Sequence, residues 1–174
     1  MKEPVRKPAA KESVPFRWKY IALPVVILSL SLILTACFYH LLPAEVAHHF
    51  TDGSPDRWTG PGTVIAWMLA PQFFFTMLAA VIIWGAIKIS AQFKPVEGGW
   101  VERLLLLMGN MVALPQIILT FAMLDIFSYN SYQVHLMPLW AFALIVMGLG
   151  GIFLGIYFAL VVRQVRMASR GNTR

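Results

Sequence analysis

Four long runs without a charged residue constrain the fold of this chain more than any other feature. They extend from Tyr20 to Leu42, from Gly62 to Ile87, from Leu104 to Leu124 and from Leu136 to Val162. Each is longer than the ~20 residues with which a helix crosses ~30 Å of hydrocarbon. Lipid offers no partner to backbone N–H and C=O groups, so each run is predicted to be a helix. The predicted fold class is an all-α polytopic membrane protein, a bundle of four transmembrane helices.

The composition is that of a chain whose solvent is lipid. Charged residues make up 13% of the sequence and hydrophobic residues 59%, whereas a soluble domain carries roughly 25% charged residues. The basic residues flank apolar runs, which indicates the lipid bilayer as a partner and excludes nucleic acid, since that partner needs a basic patch on a folded surface. Cys37 is the single cysteine, so an internal disulfide and a cysteine-based zinc site are excluded.

The lysine and arginine residues predict the orientation. Thirteen of the fourteen lie in the N-terminal tail, between Lys88 and Arg103 or at the C-terminal end, and the connection after the first run has only Arg57. The positive-inside rule places the side that is rich in lysine and arginine in the cytoplasm. We therefore expect a multi-pass protein of the cell membrane with both termini cytoplasmic. Its parts are a basic tail over residues 1–19, a membrane domain over 20–163 and a basic tail over 164–174. The polar residues 1–13 are predicted to be disordered.

The segment between the first two runs is the most informative polar stretch. Asp52-Gly53 and Ser54-Pro55-Asp56 are turn signals. Trp58 has the amphipathic ring that anchors chains at a membrane interface. These features predict one short, structured connection on the extracytoplasmic side.

This stretch also resembles a known family. A Leu-Pro pair follows the first helix, and a His-aromatic pair, a glycine, an aspartate and a further aromatic residue come after it, namely Leu42, Pro43, His49, Phe50, Gly53, Asp56 and Trp58. With Pro71 in the next run, this order is similar to the small membrane domain of unknown function at the N-terminus of SdpI-type bacterial immunity proteins. The resemblance covers about residues 20–84 and implies a bacterial inner-membrane protein. The second half shows no clear match to the C-terminal part of those proteins, so the resemblance does not imply immunity.

Histidines and carboxylates in this stretch raise the question of a metal or a haem. His48, His49, Asp52 and Asp56 have side chains that bind zinc, but adjacent histidines do not easily reach one ion. Carboxylates that cap turns are the favoured interpretation. His40 and His135 are candidate haem ligands on two helices, although such ligands usually lie deeper in the membrane, and interface histidines are the favoured interpretation. No metal and no cofactor is predicted.

Leu34-Thr35-Ala36-Cys37 has the form of a lipoprotein cleavage site. The apolar run continues past the cysteine to Leu42, where a lipoprotein usually turns polar. We therefore favour an uncleaved spanning helix, and the alternative is a cleaved signal with three remaining spans.

Two runs share a polar pattern near mid-membrane, in which Pro-Gln is followed by Thr four residues after the Gln. Its members are Pro71, Gln72 and Thr76 in the second run and Pro115, Gln116 and Thr120 in the third. Gln and Thr at this spacing share one helix face, and the proline frees a carbonyl one turn earlier. The faces are predicted to hydrogen-bond across the bundle, and the alternative is a substrate site of a small transporter. Asn110 and Asp125 are further polar residues of this region, and Asp125 is expected at the headgroups.

In the fourth run, small residues recur every four positions, at Gly151, Gly155 and Ala159. Such a face lets another helix approach closely. We expect a helix–helix interface here, either within the chain or with another subunit or a second copy.

No catalytic set is present in the sequence, because no nucleophile has a nearby base and no glycine-rich phosphate loop is followed by lysine. The leading prediction is a non-enzymatic membrane module that senses or binds at the extracytoplasmic face, or acts in immunity. The alternatives are a structural anchor subunit of a larger membrane complex and, less favoured, a small transporter.

Overall fold

A computed structural model describes residues 15–51, 53–90 and 100–171 of the chain. Most of the predicted N-terminal tail, the last three residues, the middle of the connection between the second and third runs, and Asp52 lie outside these described residues. The predicted disorder of residues 1–13 and the metal-ligand hypothesis for Asp52 therefore concern positions that the structure does not describe.

Within the described part, α-helices dominate. They are α1 (Ala22–Phe38), α2 (Pro61–Ser90), α3 (Trp100–Met111), α4 (Ala113–Tyr132) and α5 (Leu139–Gly171), with 3-10 turns at Trp18–Tyr20 and Tyr39–Leu41 on either side of α1. Four stretches are long and apolar enough to cross a membrane, namely Ala22–Leu41, Pro61–Ile89, Glu102–Tyr132 and Leu139–Leu160. The predicted fold class, all-α with four candidate spans, is confirmed.

The third span differs from its predicted extent of 104–124. It is made of α3 and α4, which are separated at Val112, three residues before Pro115 and its missing N–H. The helix then continues to Tyr132 and ends at Gln133, whose φ of 58° is left-handed and whose N–H donates to the carbonyl of Tyr129 at 2.8 Å. The segment from Ser128 to His135, between the third and fourth uncharged runs, is thus mostly helical. A run without charged residues indicates only the part of a helix that lies in hydrocarbon. The helix can continue beyond that part where its polar side chains contact another element.

The connection between α1 and α2 is a β-hairpin. Strand β1 (Val46–Thr51) pairs antiparallel with β2 (Ser54–Thr59), with Phe50 opposite Pro55. Gly53 adopts a φ of 78° at the turn, a conformation that glycine adopts without steric cost. The expectation of a structured segment holds in the form of two strands. The turn assigned to Ser54-Pro55-Asp56 is wrong, because these residues begin β2; Pro55 fits there, since it lies in an edge strand.

Helices α1, α2 and α3–α4 surround two apolar clusters at opposite ends of the bundle. The cluster at the hairpin end contains Val46, Val64, Met123, Ile126 and Phe127, and the cluster at the opposite end contains Tyr20, Ile21, Ala79, Ile83 and Leu105. Because Val46 of β1 is part of the first cluster, the hairpin is seated on the end of the bundle. Helix α5 packs against α3 and α4.

Candidate functional site

The hairpin is held together by a cross-strand group of polar side chains. His49 Nδ1 lies 2.6 Å from Asp56 Oδ1, and Thr51 Oγ1 donates to Asp56 Oδ2 at 3.0 Å. The hydrogen bond from His49, followed by that from Thr51, holds the pKa of the Asp56 carboxyl below its ordinary value, in spite of some desolvation. Two of the seven motif residues, His49 and Asp56, therefore tie β1 to β2, and Gly53 provides the turn between them.

Phe50 of the motif joins the hairpin to the end of α4. Its ring lies edge-on to the rings of Tyr129, at 4.7 Å, and His135, at 4.6 Å, and the His135 ring stacks on Tyr129 at 4.5 Å. Asp125 holds the other side of this group: Oδ1 accepts from the N–H of Leu136 at 2.7 Å and Oδ2 lies 3.1 Å from His135 Nδ1. A cluster of stacked rings and hydrogen bonds thus links three segments at one end of the bundle.

A second link between hairpin and bundle is a side-chain clamp. Asn130 of α4 accepts from the N–H of Ala47 and donates to the carbonyl of the same residue, both at 2.8 Å. Its Nδ2 also donates to the carbonyl of Ile126 at 2.8 Å. The amide of Asn130 therefore takes the place of a neighbouring strand at Ala47. Asn130 is not among the site residues predicted from the sequence, because a single carboxamide after an apolar run does not indicate which backbone it bonds.

The remaining motif residues differ in exposure. Leu42 packs against the apolar cluster at the hairpin end, Pro43 is exposed, and Trp58 is 52% exposed on β2. His48, next to the motif, lies edge-on to Trp67 of α2 at 5.5 Å, away from the partner of His49. This separation agrees with the difficulty that adjacent histidines have in reaching one ion. Among the residues that the structure describes, no three His, Cys, Asp or Glu side chains form a group suited to a metal.

The two candidate haem ligands, His40 and His135, lie in different surroundings among the described residues. His40 is exposed in the 3-10 turn after α1, whereas His135 is engaged by Asp125, Tyr129 and Phe50. The two histidines therefore have separate surroundings.

At mid-bundle, five polar side chains from three helices form a group that we call the amide cluster. Its members are Ser31 of α1, Gln72 and Thr76 of α2, and Gln116 and Thr120 of α4. Gln116 Nε2 donates to the carbonyl of Gln72 at 3.1 Å and to Thr76 Oγ1 at 2.9 Å, and Ser31 Oγ donates to Gln72 Oε1 at 2.7 Å. The two Pro-Gln-Thr faces thus contact each other directly, and this favours helix packing over an open transport site.

Ser31 is the member that the sequence analysis missed. Its hydroxyl lies 2.8 Å from Thr120 Oγ1, and the residue is fully buried. Ser29, one of its neighbours in α1, is exposed and bonds only its own helix, at the carbonyl of Val25. A serine among apolar residues gave a weak signal, and the helix face that distinguishes the two serines is visible only once the packing is known.

At the opposite end of the bundle, Asn110 bonds the backbone of another element as Asn130 does. Its Oδ1 accepts from the N–H of Leu23 at 3.0 Å, while its Nδ2 donates to the carbonyl of Leu106 at 2.8 Å. Arg17 and Lys19 make an exposed ion-pair group with Glu102 near this point. Three carboxamides of the third span, on Asn110, Gln116 and Asn130, therefore hold the backbone of other elements.

The small-residue face of α5 packs against nothing in the part of the chain that the structure describes. A Cβ added at Gly148, Gly151 or Gly155 meets nothing within 4 Å, and Ala159 is exposed. Packing occurs on the opposite side of the helix, where Phe142 stacks on Phe121 at 3.9 Å and Tyr157 donates to the carbonyl of Arg103 at 3.0 Å. The predicted interface is therefore free on the described chain.

Cys37 is exposed and lies one residue before the end of α1. Cleavage before it would remove Ser31 from the amide cluster and Leu23 from its bond to Asn110. These contacts favour the uncleaved helix.

Comparison with known proteins gives one match. No curated protein and no solved structure matches the chain. One segment of the chain matches a family model. It begins in α1, includes the whole hairpin and ends in the first third of α2, so it contains the motif residues from Leu42 to Trp58. The resemblance to a membrane domain of unknown function is confirmed to this extent: residues 26–70 match the family model described as Domain of unknown function (DUF1648).

Proposed function

We propose that this chain is a non-enzymatic membrane module that binds a partner or ligand through the hairpin. The observation that carries the proposal is the double attachment of the hairpin, by Asn130 at Ala47 and by Phe50 at Tyr129 and His135. A surface held in one position loses little conformational freedom when it binds. Exposed Arg57 and Trp58 lie on β2, whereas the attached residues Ala47 and Phe50 lie on β1. Trp and Arg are the residue types that most often dominate binding energy.

We place the hairpin on the extracytoplasmic side of the cell membrane. The support is the distribution of charge, since thirteen of fourteen basic residues lie in segments at the opposite end of the spans from the hairpin. In this orientation both termini are cytoplasmic. Sensing of an external molecule and immunity against an external toxin are two forms of the same proposal, because both need recognition at this face.

Cysteine labelling tests the orientation. In a Cys37→Ser background, Ser54→Cys at the start of β2 and Asn172→Cys near the C-terminus are treated in intact cells with a membrane-impermeant maleimide. We expect Ser54→Cys to react in intact cells and Asn172→Cys to react only after lysis. The reverse pattern would overturn the proposed orientation.

Site-specific photo-crosslinking tests binding at the hairpin. A photoreactive phenylalanine analogue replaces Trp58 in one variant and the lipid-facing Phe153 of α5, which is 67% exposed, in the matched control. We expect a specific adduct from position 58. Excess purified protein without the analogue, added on the side of the membrane where the hairpin lies, should compete for the same partner and remove this adduct. Adducts to lipid alone from both positions would contradict the proposal.

A specific observation favours a second candidate function, the anchor subunit of a larger membrane complex. The open face of α5 at Gly148, Gly151 and Gly155 has the small residues that let a second helix approach. If this function is correct, a partner chain co-purifies from mild detergent, and Gly151→Ile together with Gly155→Ile releases it. Recovery of a monomer alone would count against the anchor.

A further inference from the structure

The amide cluster contains two buried polar atoms that have no hydrogen-bond partner among the described residues. They are Gln72 Nε2 and Gln116 Oε1, and both glutamines are fully buried. The cluster lies between the two apolar clusters of the bundle, so neither membrane surface supplies a partner from nearby. Lipid supplies none either, and a buried polar group without a hydrogen bond is costly.

The orientation of the Gln116 amide is fixed by its surroundings. Its nitrogen faces the carbonyls of Gln72, at 3.1 Å, and Pro24, at 3.5 Å, and a carbonyl only accepts. Thr76 Oγ1 uses its proton on the carbonyl of Gln72 at 2.9 Å, so it also faces Gln116 as an acceptor. Exchanging the nitrogen and oxygen of Gln116 would set oxygen against oxygen. Gln116 Oε1 is therefore a true acceptor without a donor.

The Gln72 amide faces two hydroxyls, which accept as well as donate. Ser31 Oγ lies 2.7 Å and Thr120 Oγ1 3.5 Å from its oxygen, and Thr120 also donates to the carbonyl of Gln116 at 2.8 Å. If the amide were turned over, its nitrogen would donate to Ser31, and its oxygen would become the atom without a partner. Either orientation of Gln72 leaves one amide atom unsatisfied.

We propose that the amide cluster is a binding site for internal water, with at least one molecule on the amides of Gln72 and Gln116. Water fits the chemistry because one molecule both donates and accepts, and a buried water typically makes about three hydrogen bonds. In the first orientation of Gln72, water accepts from Gln72 Nε2 and donates to Gln116 Oε1. In the second orientation, it donates to the side-chain oxygens of both glutamines. No member of the cluster carries a formal charge, which favours a neutral molecule over an ion.

Water-edited solid-state NMR of the full chain in lipid bilayers tests this site without altering it. The sequence has five glutamines, and labelling them with ¹⁵N while Gln92→Ala and Gln164→Ala remove two signals leaves Gln72, Gln116 and the exposed Gln133. Gln133→Ala assigns the exposed signal. We expect the side-chain amides of Gln72 and Gln116 to receive magnetisation from water, as Gln133 does. If only Gln133 receives it, the proposal is overturned.

Two controls separate water from other sources of the same signal. When Ser31→Ala, Thr76→Val and Thr120→Val are combined, the three hydroxyls of the amide cluster are absent. A transfer that persists then comes from water, and a transfer that disappears from both amides came through the hydroxyls and overturns the site. The side-chain carbonyl ¹³C shifts of Gln72 and Gln116 are also compared in sodium chloride and choline chloride. Equal shifts support water, whereas a change confined to sodium assigns the site to a cation.

Discussion

The third and fourth spans are both long apolar helices, yet they occupy opposite positions in the protein. In the most apolar stretch of the third span 28% of the residues are buried, whereas in that of the fourth span none are. The third span carries Asn110, Gln116 and Asn130, each bonded to the backbone of another element. Among the described side chains of α5, Tyr157 alone makes a hydrogen bond.

The contrast shows what selects the centre of a membrane bundle. In water, burial of apolar surface would bring both helices inside, but lipid tails are as apolar as leucine, and this driving force is absent between helices. A helix with carboxamides lowers its free energy when these side chains bond the backbone of another element. A helix without carboxamides has no such bonds to lose when it faces lipid. Polar side chains, and not hydropathy, therefore place the third span at the centre.

Glycine substitutions give the largest expected difference between the two spans. A Cβ at Gly109 of α3 would lie 2.0 Å from the backbone oxygen of Tyr20, whereas a Cβ at Gly148 of α5 meets nothing within 4 Å. We expect Gly109→Ala to lower the free energy of unfolding by about 3 kcal/mol, because backbone must move. Gly148→Ala is expected to raise it by about 0.5 kcal/mol through helix propensity. Unfolding by SDS in mixed micelles measures both, and equal effects would contradict the contrast.

Loss of the central carboxamide has the next largest effect. Gln116→Leu removes the donor to Gln72 and Thr76 and leaves buried acceptors unpaired. We expect a loss of about 2 kcal/mol in the free energy of unfolding. Met147→Leu, at an exposed position of α5, serves as the control and is expected to change it by less than about 0.5 kcal/mol. A Gln116→Leu protein as stable as this control would show that the polar contacts do not place the third span.

The spans could be predicted from the sequence because charge and length decide them, and both are local. The approach of Gln72 to Gln116 was also predictable, since each stands in a Pro-Gln-x-x-x-Thr pattern near mid-membrane. Ser31 and Asn130 were not, because their roles depend on which helix face meets which neighbour. Periodicity does not give that information in a helix that is apolar on all sides.

The hairpin shows another limit of sequence reasoning. Gly53 was correctly predicted to lie in a turn, yet the strands on either side carry histidines, an aspartate and a proline, which weaken any strand pattern. Pairing of β1 with β2 depends on His49 and Asp56 and on the support of Asn130, which is more than 80 residues from Ala47 in the sequence. Such distant support has no local signature.

The attachment of the hairpin to the third span is tested by Asn130→Ala. This variant removes both bonds to the backbone of Ala47, and we expect local opening of β1 to become easier by about 1.5 kcal/mol. Amide hydrogen exchange at Ala47 measures the change. Ser131→Ala is the matched control, since the Ser131 hydroxyl is buried without a partner in the described structure and its removal costs nothing. Equal exchange at Ala47 in the two variants would contradict the clamp.

The smallest expected effect concerns the hairpin alone and depends on pH. Because the hydrogen bonds from His49 and Thr51 lower the pKa of Asp56 in the folded state, folding favours the charged carboxylate. The stabilisation is therefore complete well above the ordinary value of 3.8 and is lost as the pH falls through the lower, folded pKa. Solvent reaches the Asp56 carboxyl and screens the interaction, so we expect a small change in the population of the paired hairpin, seen in the amide chemical shift of Gly53.

Asp56→Asn isolates this contribution, because every other carboxyl is the same in the two proteins. The amide keeps a hydrogen-bonding group of similar size opposite His49 but does not ionise. The difference between the two Gly53 titrations is then the effect of Asp56 alone. If both proteins titrate alike, His49 and Asp56 do not fix the strands. The hairpin would then depend on its contacts with the bundle alone, among them those of Asn130 and Phe50 with the third span, which would make the dependence of the hairpin on that span stronger still.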